Sequence, residues 1–153
     1  TLSDLVFKAV KKTGATVHKG GTFLVIDGPQ FSTKAESRIY RQWGVDIIGM
    51  TAIPEAKLAR EAEICYAAMA HVTDYDVWHE TEEPVTVAML IENLQANAAV
   101  TKRAVQYLAP MVQALHERSC KCASALSTAL ITDRASIPAA LKQDLALLLG
   151  KYL

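Results

Sequence analysis

Several features that would place the sequence in a common class are missing from it. No apolar run among its 153 residues is long enough to cross a bilayer. The 16 lysines and arginines are balanced by 16 aspartates and glutamates, so there is no basic excess of the kind that binds nucleic acid. A glycine-rich phosphate loop, an internal repeat and a recognisable signal peptide are also missing. We therefore expect neither a membrane nor a nucleic acid as a partner.

Cysteine is scarce, with three residues, and in a chain without secretory features this predicts a cytoplasmic protein. Only one residue separates Cys120 from Cys122. Two free thiols are the default for such a pair in the cytoplasm, and a strained, easily reduced disulfide is the alternative. Cys65 falls in a predicted strand and is expected to serve packing. The four histidines do not share the spacing of metal ligands, so the sequence predicts no metal site.

The chain is long enough to bury a core and fits one domain or part of one. It begins with Thr1 instead of Met and enters a helix-like pattern at once. We expect this start to reflect a cut within a larger protein or a processed chain.

The spacing of the apolar residues, together with the glycines and prolines that end each segment, predicts the helices and strands. Helices are predicted at 2–12, 33–43, 54–62 and 87–115, the last kinked or split at Pro110, with a leucine-rich helix after residue 136. Strands are predicted at 16–18, 22–26, 45–50 and 64–72, the last buried on both faces. Strands alternate with helices through the first half, which predicts an α/β fold with a mixed or mostly parallel β-sheet flanked by helices.

The segment Thr73-Asp74-Tyr75-Asp76 follows the last predicted strand. On an extended backbone, positions i and i+2 point the same way, so Asp74 and Asp76 would project together at the mouth of the sheet. Two like charges held that close make one carboxyl easier to protonate, and it could then donate a proton near neutral pH. The alternative is a solvated strand-to-loop junction, because Asp is common in turns.

Three segments carry a resemblance that covers the chain from the first helix to about Leu94 and more loosely to the end. They are residues 28–36 (GPQFSTKAE), 49–55 (GMTAIPE) and 73–76 (TDYD). In this order and spacing they resemble the purine nucleoside phosphorylase family, and within it the members that act on S-methyl-5'-thioadenosine. The resemblance implies that residues 1–153 are the C-terminal half of a phosphorylase catalytic domain, the half that holds purine and ribose.

The resemblance also implies the activity and its partners. Such enzymes are pentosyltransferases that cleave the nucleoside with inorganic phosphate as co-substrate and without a cofactor. Here the products would be adenine and 5-methylthioribose 1-phosphate, in purine and methionine salvage. Most phosphate ligands of the family come from an N-terminal half that this chain lacks, so we expect that half to complete the fold and a homotrimer to form.

The resemblance implies a role for nine binding residues. Substrate contacts are expected from Phe31, Ser32, Ile48, Met50, Thr73, Val87, Leu90 and Ile91, and phosphate contact from Thr51. Without the resemblance, Met50 would read as a core residue and Thr51 as a simple helix cap. For Phe31 a core position is an equally good alternative, and Ser32 could serve as a helix cap as well as contact the substrate.

Two positions favour an aminopurine. Relatives that take 6-oxopurines carry Glu where this chain has Ser32 and Asn where it has Asp74. A carboxylate at Asp74 accepts from a 6-amino group and, when protonated, donates to N7, whereas it opposes a 6-oxo group with a second acceptor. We therefore expect adenine instead of hypoxanthine or guanine, with Asp74 as the general acid and Asp76 orienting it or holding the amino group.

One position favours a modified sugar. Relatives that bind an unmodified 5'-hydroxyl have His where this chain has Val87, which offers no hydrogen bond but suits a methylthio group. Leu90 and Ile91 would extend the same apolar wall; alternatively, all three are ordinary core residues of an amphipathic helix. The remaining alternatives for function are a 6-oxopurine nucleoside or methylthioinosine phosphorylase, and a non-catalytic nucleoside-binding module.

Overall fold

The computed structural model describes residues 1–79, 87–115 and 117–153, with the side chain of Val87 left undescribed. Helices and strands alternate in its first half, as the sequence predicts. The helices are α1 (Leu2–Lys12), α2 (Lys34–Gln42), α3 (Ala52–Glu61), α4 (Val87–Gln113), α5 (Ala139–Asp144) and α6 (Ala146–Leu149), and the strands are β1 (Phe23–Val25) and β2 (Ile47–Gly49). Among these described helices, none combines the length and the apolar character needed to cross a membrane.

Helix α1 has the bounds that the sequence predicts and packs against α4. Thr1 and Asp4 form a capping box at its start, and Gly14, at φ +82°, follows its last turn. The contact buries alanine and valine side chains, so the two helices approach closely. The buried apolar residues in the described part of the chain are Ala9, Val10 and Ala104.

The two strands are parallel, with Phe23 paired to Ile47 and Val25 to Gly49. This confirms the strands predicted at 22–26 and 45–50 in shorter form, with α2 in the connection between them. A mixed sheet is not seen, since the sheet formed by the described residues has these two parallel strands alone. Residues 16–18 are not a strand, and that prediction is wrong.

The prediction of a strand buried on both faces at residues 64–72 is also wrong. Exposure alternates along this segment, with Ile64 and Val72 57% and 67% exposed. Its other face, at Ala67 and Met69, lines an apolar cavity of about 130 Å³ against α1 and α4. The alternation is that of an extended chain, but no neighbouring strand pairs with it among the described residues. A short apolar run can predict that the backbone is extended. It cannot predict whether another strand lies beside it, which a sheet requires.

The predicted boundaries of the other helices are largely confirmed. Thr33 and Glu36 form the predicted capping box of α2, and Gly44 follows that helix at φ +75°. Ile53 is non-helical, so the regular part of α3 begins at Pro54, as predicted. Helix α4 continues through Pro110 to Gln113 and is not split there, although the proline has no backbone N–H to donate within the helix.

The C-terminal part is more irregular than the sequence predicts. The single leucine-rich helix expected after residue 136 is divided into α5 and α6 at Leu145, whose φ and ψ are −96° and 6°. Tyr152 lies in a final 3₁₀ turn and donates a hydrogen bond of 2.5 Å to the carboxylate of Glu63, 89 residues earlier. This contact ties the end of the chain to the loop after α3.

Candidate functional site

The loops that follow the two parallel strands meet at one place. Ile26 N donates to Gly49 O at 3.0 Å, which extends the pairing of β1 and β2 by one bond. Gly28 then adopts φ +65°, and a Cβ built on it would lie 2.8 Å from the Sδ of Met50. A glycine is therefore required there, both for the backbone and for the approach of Met50. Ligands of open parallel sheets bind beyond these carboxyl ends of the strands.

A cavity of about 210 Å³ opens in the loop after β1. It brings together two of the predicted substrate residues, Phe31 and Ser32, and Phe31 is 81% exposed. Ser32 is half-buried, and the helix cap is Thr33, so the simple cap considered for Ser32 is not its role. The other lining residues are Ile26, Asp27, Gly28, Gln30, Glu36 and Tyr40. An exposed ring beside a free hydroxyl can stack on and hydrogen-bond a planar heterocycle.

Glu36 lines this cavity but is already engaged. Its carboxylate accepts hydrogen bonds from the backbone N–H and the hydroxyl of Thr33, at 2.7 and 2.8 Å. The backbone bond first, and the hydroxyl bond second, hold the pKa of Glu36 below its ordinary value. The residue therefore remains an ionised helix cap and is not a proton donor.

The Asp76 carboxylate is held from two sides. It accepts a hydrogen bond from the hydroxyl of Ser37, a residue of α2 that is 1% exposed. It also accepts from the backbone N–H of Val77 at 2.9 Å. These bonds fix Asp76 beside the helix whose first turns line the cavity.

Asp74 has a different environment. The backbone bends at this residue, so the extended geometry that the sequence suggested for the acidic pair does not apply. The carboxylate of Asp74 is exposed and accepts from the Thr73 hydroxyl at 2.6 Å. The two acids are thus distinguished by exposure and by partner, and Asp74 is the one open to a ligand.

Helix α4 supports the same turn. Asn93 Nδ2 donates to the carbonyl of Thr73 at 2.7 Å. Leu90 lies three residues before Asn93, which places it on the same helix face, and it is half-buried. Ile91 is 51% exposed. The predicted contact from the Val87 side chain lies outside the described part of the structure.

Ile48 and Thr51 lie on and just after β2. Ile48 is half-buried and pairs in register with Leu24. Thr51 precedes α3, but its hydroxyl makes no capping hydrogen bond and the residue is exposed. The simple cap that the sequence allowed for Thr51 is therefore not its role, and the hydroxyl remains open to an anion.

An aromatic group beside the acidic turn was missed in the sequence. The guanidinium of Arg41 lies 3.6 Å from the ring centre of Trp78, and Tyr75 stacks on His79 with ring centres 4.4 Å apart. Arg41 follows Ser37 by four residues, so both lie on one face of α2. Nothing local marks Ser37, Arg41 or Asn93 in the sequence, because their partners lie on other elements.

Comparison with known proteins identifies the family of the chain. The family model described as "Phosphorylase superfamily" matches residues 1–110. The S-methyl-5'-thioadenosine phosphorylase of Geobacter sulfurreducens is 50% identical over 99% of this chain and 52% of its own length. That of Gloeobacter violaceus is 53% identical over 95% of this chain and 48% of its own length.

Solved structures give the same result. A methylthioadenosine phosphorylase from an Antarctic soil metagenomic library superposes with a TM-score of 0.86 at 40% identity, over 96% of this chain and 52% of that one. Methylthioadenosine phosphorylase from Schistosoma mansoni in complex with adenine superposes with a TM-score of 0.70 at 27% identity, over 82% of this chain and 49% of that one. The α/β fold is therefore that of these phosphorylases, and the chain spans about half the length of the relatives it matches.

Proposed function

Because this chain belongs to the phosphorylase superfamily, we propose that it carries the purine and ribose side of an enzyme that cleaves S-methyl-5'-thioadenosine with inorganic phosphate. The products are adenine and 5-methylthioribose 1-phosphate, which enter purine and methionine salvage. The observation that carries the proposal is the 50% identity to a phosphorylase of that name over 99% of the chain.

The base side rests on Phe31, Ser32 and the acidic turn. The exposed ring of Phe31 packs against the purine, and the hydroxyl of Ser32 is available for a hydrogen bond because Thr33 serves as the helix cap. Asp74 protonates or hydrogen-bonds N7 as negative charge gathers on the leaving purine. Asp76, fixed by Ser37 and Val77, holds the turn or the amino group.

The sugar side rests on the loop after β2 and the start of α4. Met50, held against Gly28, presents a soft side chain to the ribose. Thr51 offers an uncommitted hydroxyl to phosphate. Leu90 and Ile91 provide the apolar wall that receives the methylthio group and disfavours a 5'-hydroxyl, and the family resemblance adds Val87 to the same role. Ile48, on β2, is the further substrate contact that the resemblance implies.

A second half completes the pocket. The cavity of about 210 Å³ is smaller than the roughly 300–1,000 Å³ of typical ligand pockets. Phe31, Ile64 and Val72 also expose 81%, 57% and 67% of their surfaces. An N-terminal half that adds strands beside the 64–72 segment and supplies the other phosphate ligands would account for both features, since the relatives are about twice as long.

The proposal extends to the oligomeric state and the cellular location of the protein. We propose a homotrimer with the active sites near subunit contacts, as the family resemblance implies. The reaction needs no cofactor beyond phosphate as co-substrate. Three cysteines that form no disulfide in the structure are in keeping with a reducing compartment such as the cytoplasm.

A phosphate-dependence assay tests the proposal. Adenine release from S-methyl-5'-thioadenosine would be measured with the chain alone and with the complete polypeptide, in phosphate and in a phosphate-free buffer. We expect release only from the complete polypeptide and only with phosphate. Inosine at the same concentration tests the 6-oxopurine alternative, and we expect it to react much more slowly.

The other outcomes separate the remaining alternatives. Calorimetric binding of adenine without phosphate-dependent turnover in the complete polypeptide would favour a non-catalytic nucleoside-binding module. Faster cleavage of inosine than of S-methyl-5'-thioadenosine would contradict the assignment of Ser32 and Asp74 to an aminopurine.

A further inference from the structure

Three cysteines that lie far apart in the sequence converge in the fold. The sulfur atoms of Cys65, Cys120 and Cys122 all lie within 4.8 Å of one another, and the Sγ atoms of Cys65 and Cys120 are 3.3 Å apart. All three residues are half-buried. None of them lines the cavity at Phe31, so the group is separate from the candidate nucleoside site.

The convergence is held by contacts other than those between the sulfurs. Glu63, two residues before Cys65, accepts from the backbone N–H of Leu126 at 3.0 Å and pairs with Lys151. Arg118, two residues before Cys120, donates to the carbonyl of Glu63 at 3.3 Å. These bonds fasten the chain on both sides of the group, so the three sulfurs are brought together before any ligand binds.

We propose that Cys65, Cys120 and Cys122 form a three-thiolate site for a soft d¹⁰ metal ion, Cu(I) or Zn(II). Thiolate ligands select these ions over Mg²⁺ and Ca²⁺. Each thiol that binds releases its proton to solvent. No fourth His, Cys, Asp or Glu joins the group within residues 1–79, 87–115 and 117–153, which suits three-coordinate Cu(I), or Zn(II) with a water in the fourth position.

The geometry requires only small side-chain adjustments. A metal–sulfur distance of about 2.3 Å places three sulfurs around one ion roughly 4 Å apart. The three sulfurs all lie within 4.8 Å of one another, and the one pair at 3.3 Å is closer than that value, so small rotations of the side chains would bring them to it. A disulfide would need the sulfurs at about 2.05 Å, so the free thiols are closer to the arrangement of ligands than to that of a bond.

Cadmium titration of the complete polypeptide tests the site. Cd(II) bound to thiolates absorbs in the ultraviolet, so we expect a charge-transfer band that saturates at one equivalent per chain. Zn(II) and Cu(I), added separately as competitors, should abolish the band, and the tighter competitor identifies the ion. The proposal would be overturned if neither Zn(II) nor Cu(I) displaced the bound Cd(II). It would also be overturned if the charge-transfer band saturated below half an equivalent of Cd(II) per chain.

Variants separate a three-thiolate site from a two-thiolate one. Cys65→Ser, Cys120→Ser and Cys122→Ser should each weaken cadmium binding by more than about 100-fold, above the 10- to 100-fold typical of outer-shell changes. Ser119→Ala, next to Cys120 with all three thiols retained, should bind like the parent. Unchanged affinity in any cysteine variant would contradict the trigonal site.

An alkylation assay on the parent protein tests the site without relying on variants that could misfold. In the parent protein, Zn(II) should slow alkylation of all three cysteines, and a chelator should restore it. Peptide mass spectrometry would locate the modified residues. A disulfide between any two of them in protein purified without reductant and protected from air would overturn the metal site and indicate a redox pair.

Discussion

The hydroxyl of Ser37 donates a hydrogen bond to the carboxylate of Asp76, across 39 residues of sequence. It joins α2, whose first turns line the cavity at Phe31, to the turn that carries both candidate acids. Because Ser37 is 1% exposed, the bond is sheltered from water. The orientation of Asp76 therefore depends on a residue that does not itself reach the cavity.

Ser37→Ala should lower both stability and activity. A hydrogen bond to a charged group contributes about 1.5–3 kcal/mol to the free energy of unfolding, so the variant should unfold at a lower urea concentration. A freed Asp76 should also lower kcat for S-methyl-5'-thioadenosine. KM should change less if the substrate contacts are kept. Initial rates of adenine release would be compared with Ser3→Ala, a matched change at an exposed position of α1. Parental kcat in Ser37→Ala would remove Ser37 from any positioning role.

Local features were predictable because the residues that determine them are close in sequence. The capping box of Thr33 and Glu36, and the end of α1 before Gly14, follow from side-chain and backbone chemistry within four residues. Strands β1 and β2 were predicted for a similar reason, because each is a short run of β-branched and other apolar residues between glycines.

Features that depend on a distant partner were not predictable. The run at 64–72 alternates like a strand, yet it has no pairing neighbour among the described residues. The contact of Ser37 with Asp76 and that of Asn93 with the Thr73 carbonyl arise only when three elements have packed. The acidic pair was predictable from its spacing and from the resemblance, whereas the bend at Asp74 depends on the packing of distant elements.

Asp74→Asn should abolish most of the proposed proton donation while keeping the shape of the side chain. General acid catalysis contributes about 100- to 10,000-fold in rate, and we expect a loss in that range for cleavage of S-methyl-5'-thioadenosine. The amide can donate to a 6-oxo group, so the relative rate with inosine should rise. Asp144→Asn, an exposed change on α5, is the control. Cleavage at the parental rate in Asp74→Asn would exclude the acid role.

Gly28→Ala should displace Met50 as well as strain the backbone. Left-handed backbone costs an ordinary residue about 1–2 kcal/mol, and the new Cβ would lie 2.8 Å from the Met50 sulfur. Gly14→Ala is a matched control, because Gly14 has φ +82° and no heavy atom within 4 Å of a built Cβ. Both variants should lose stability in urea, but only Gly28→Ala should raise KM. Equal KM values would mean that Met50 does not contact the substrate.

Glu63→Gln should destabilise the C-terminal region in a pH-dependent way. Burial raises the pKa of Glu63, but hydrogen bonds from Lys151, Tyr152 and the N–H of Leu126 lower it further, to about 2. A carboxyl whose folded pKa is lowered stabilises the fold above its ordinary value of 4.5 and loses that contribution as the pH falls towards 2. At pH 7 the variant should therefore melt several degrees below the parent.

The pH profile distinguishes this charge effect from a packing defect. The difference in Tm between parent and Glu63→Gln should shrink as the pH is lowered from 5 towards 2, because the parent then loses the same charged contacts. Glu61→Gln, at the exposed end of α3, should follow the parent throughout. A Tm difference that stays constant at every pH would mean that the negative charge of Glu63 does not stabilise the fold.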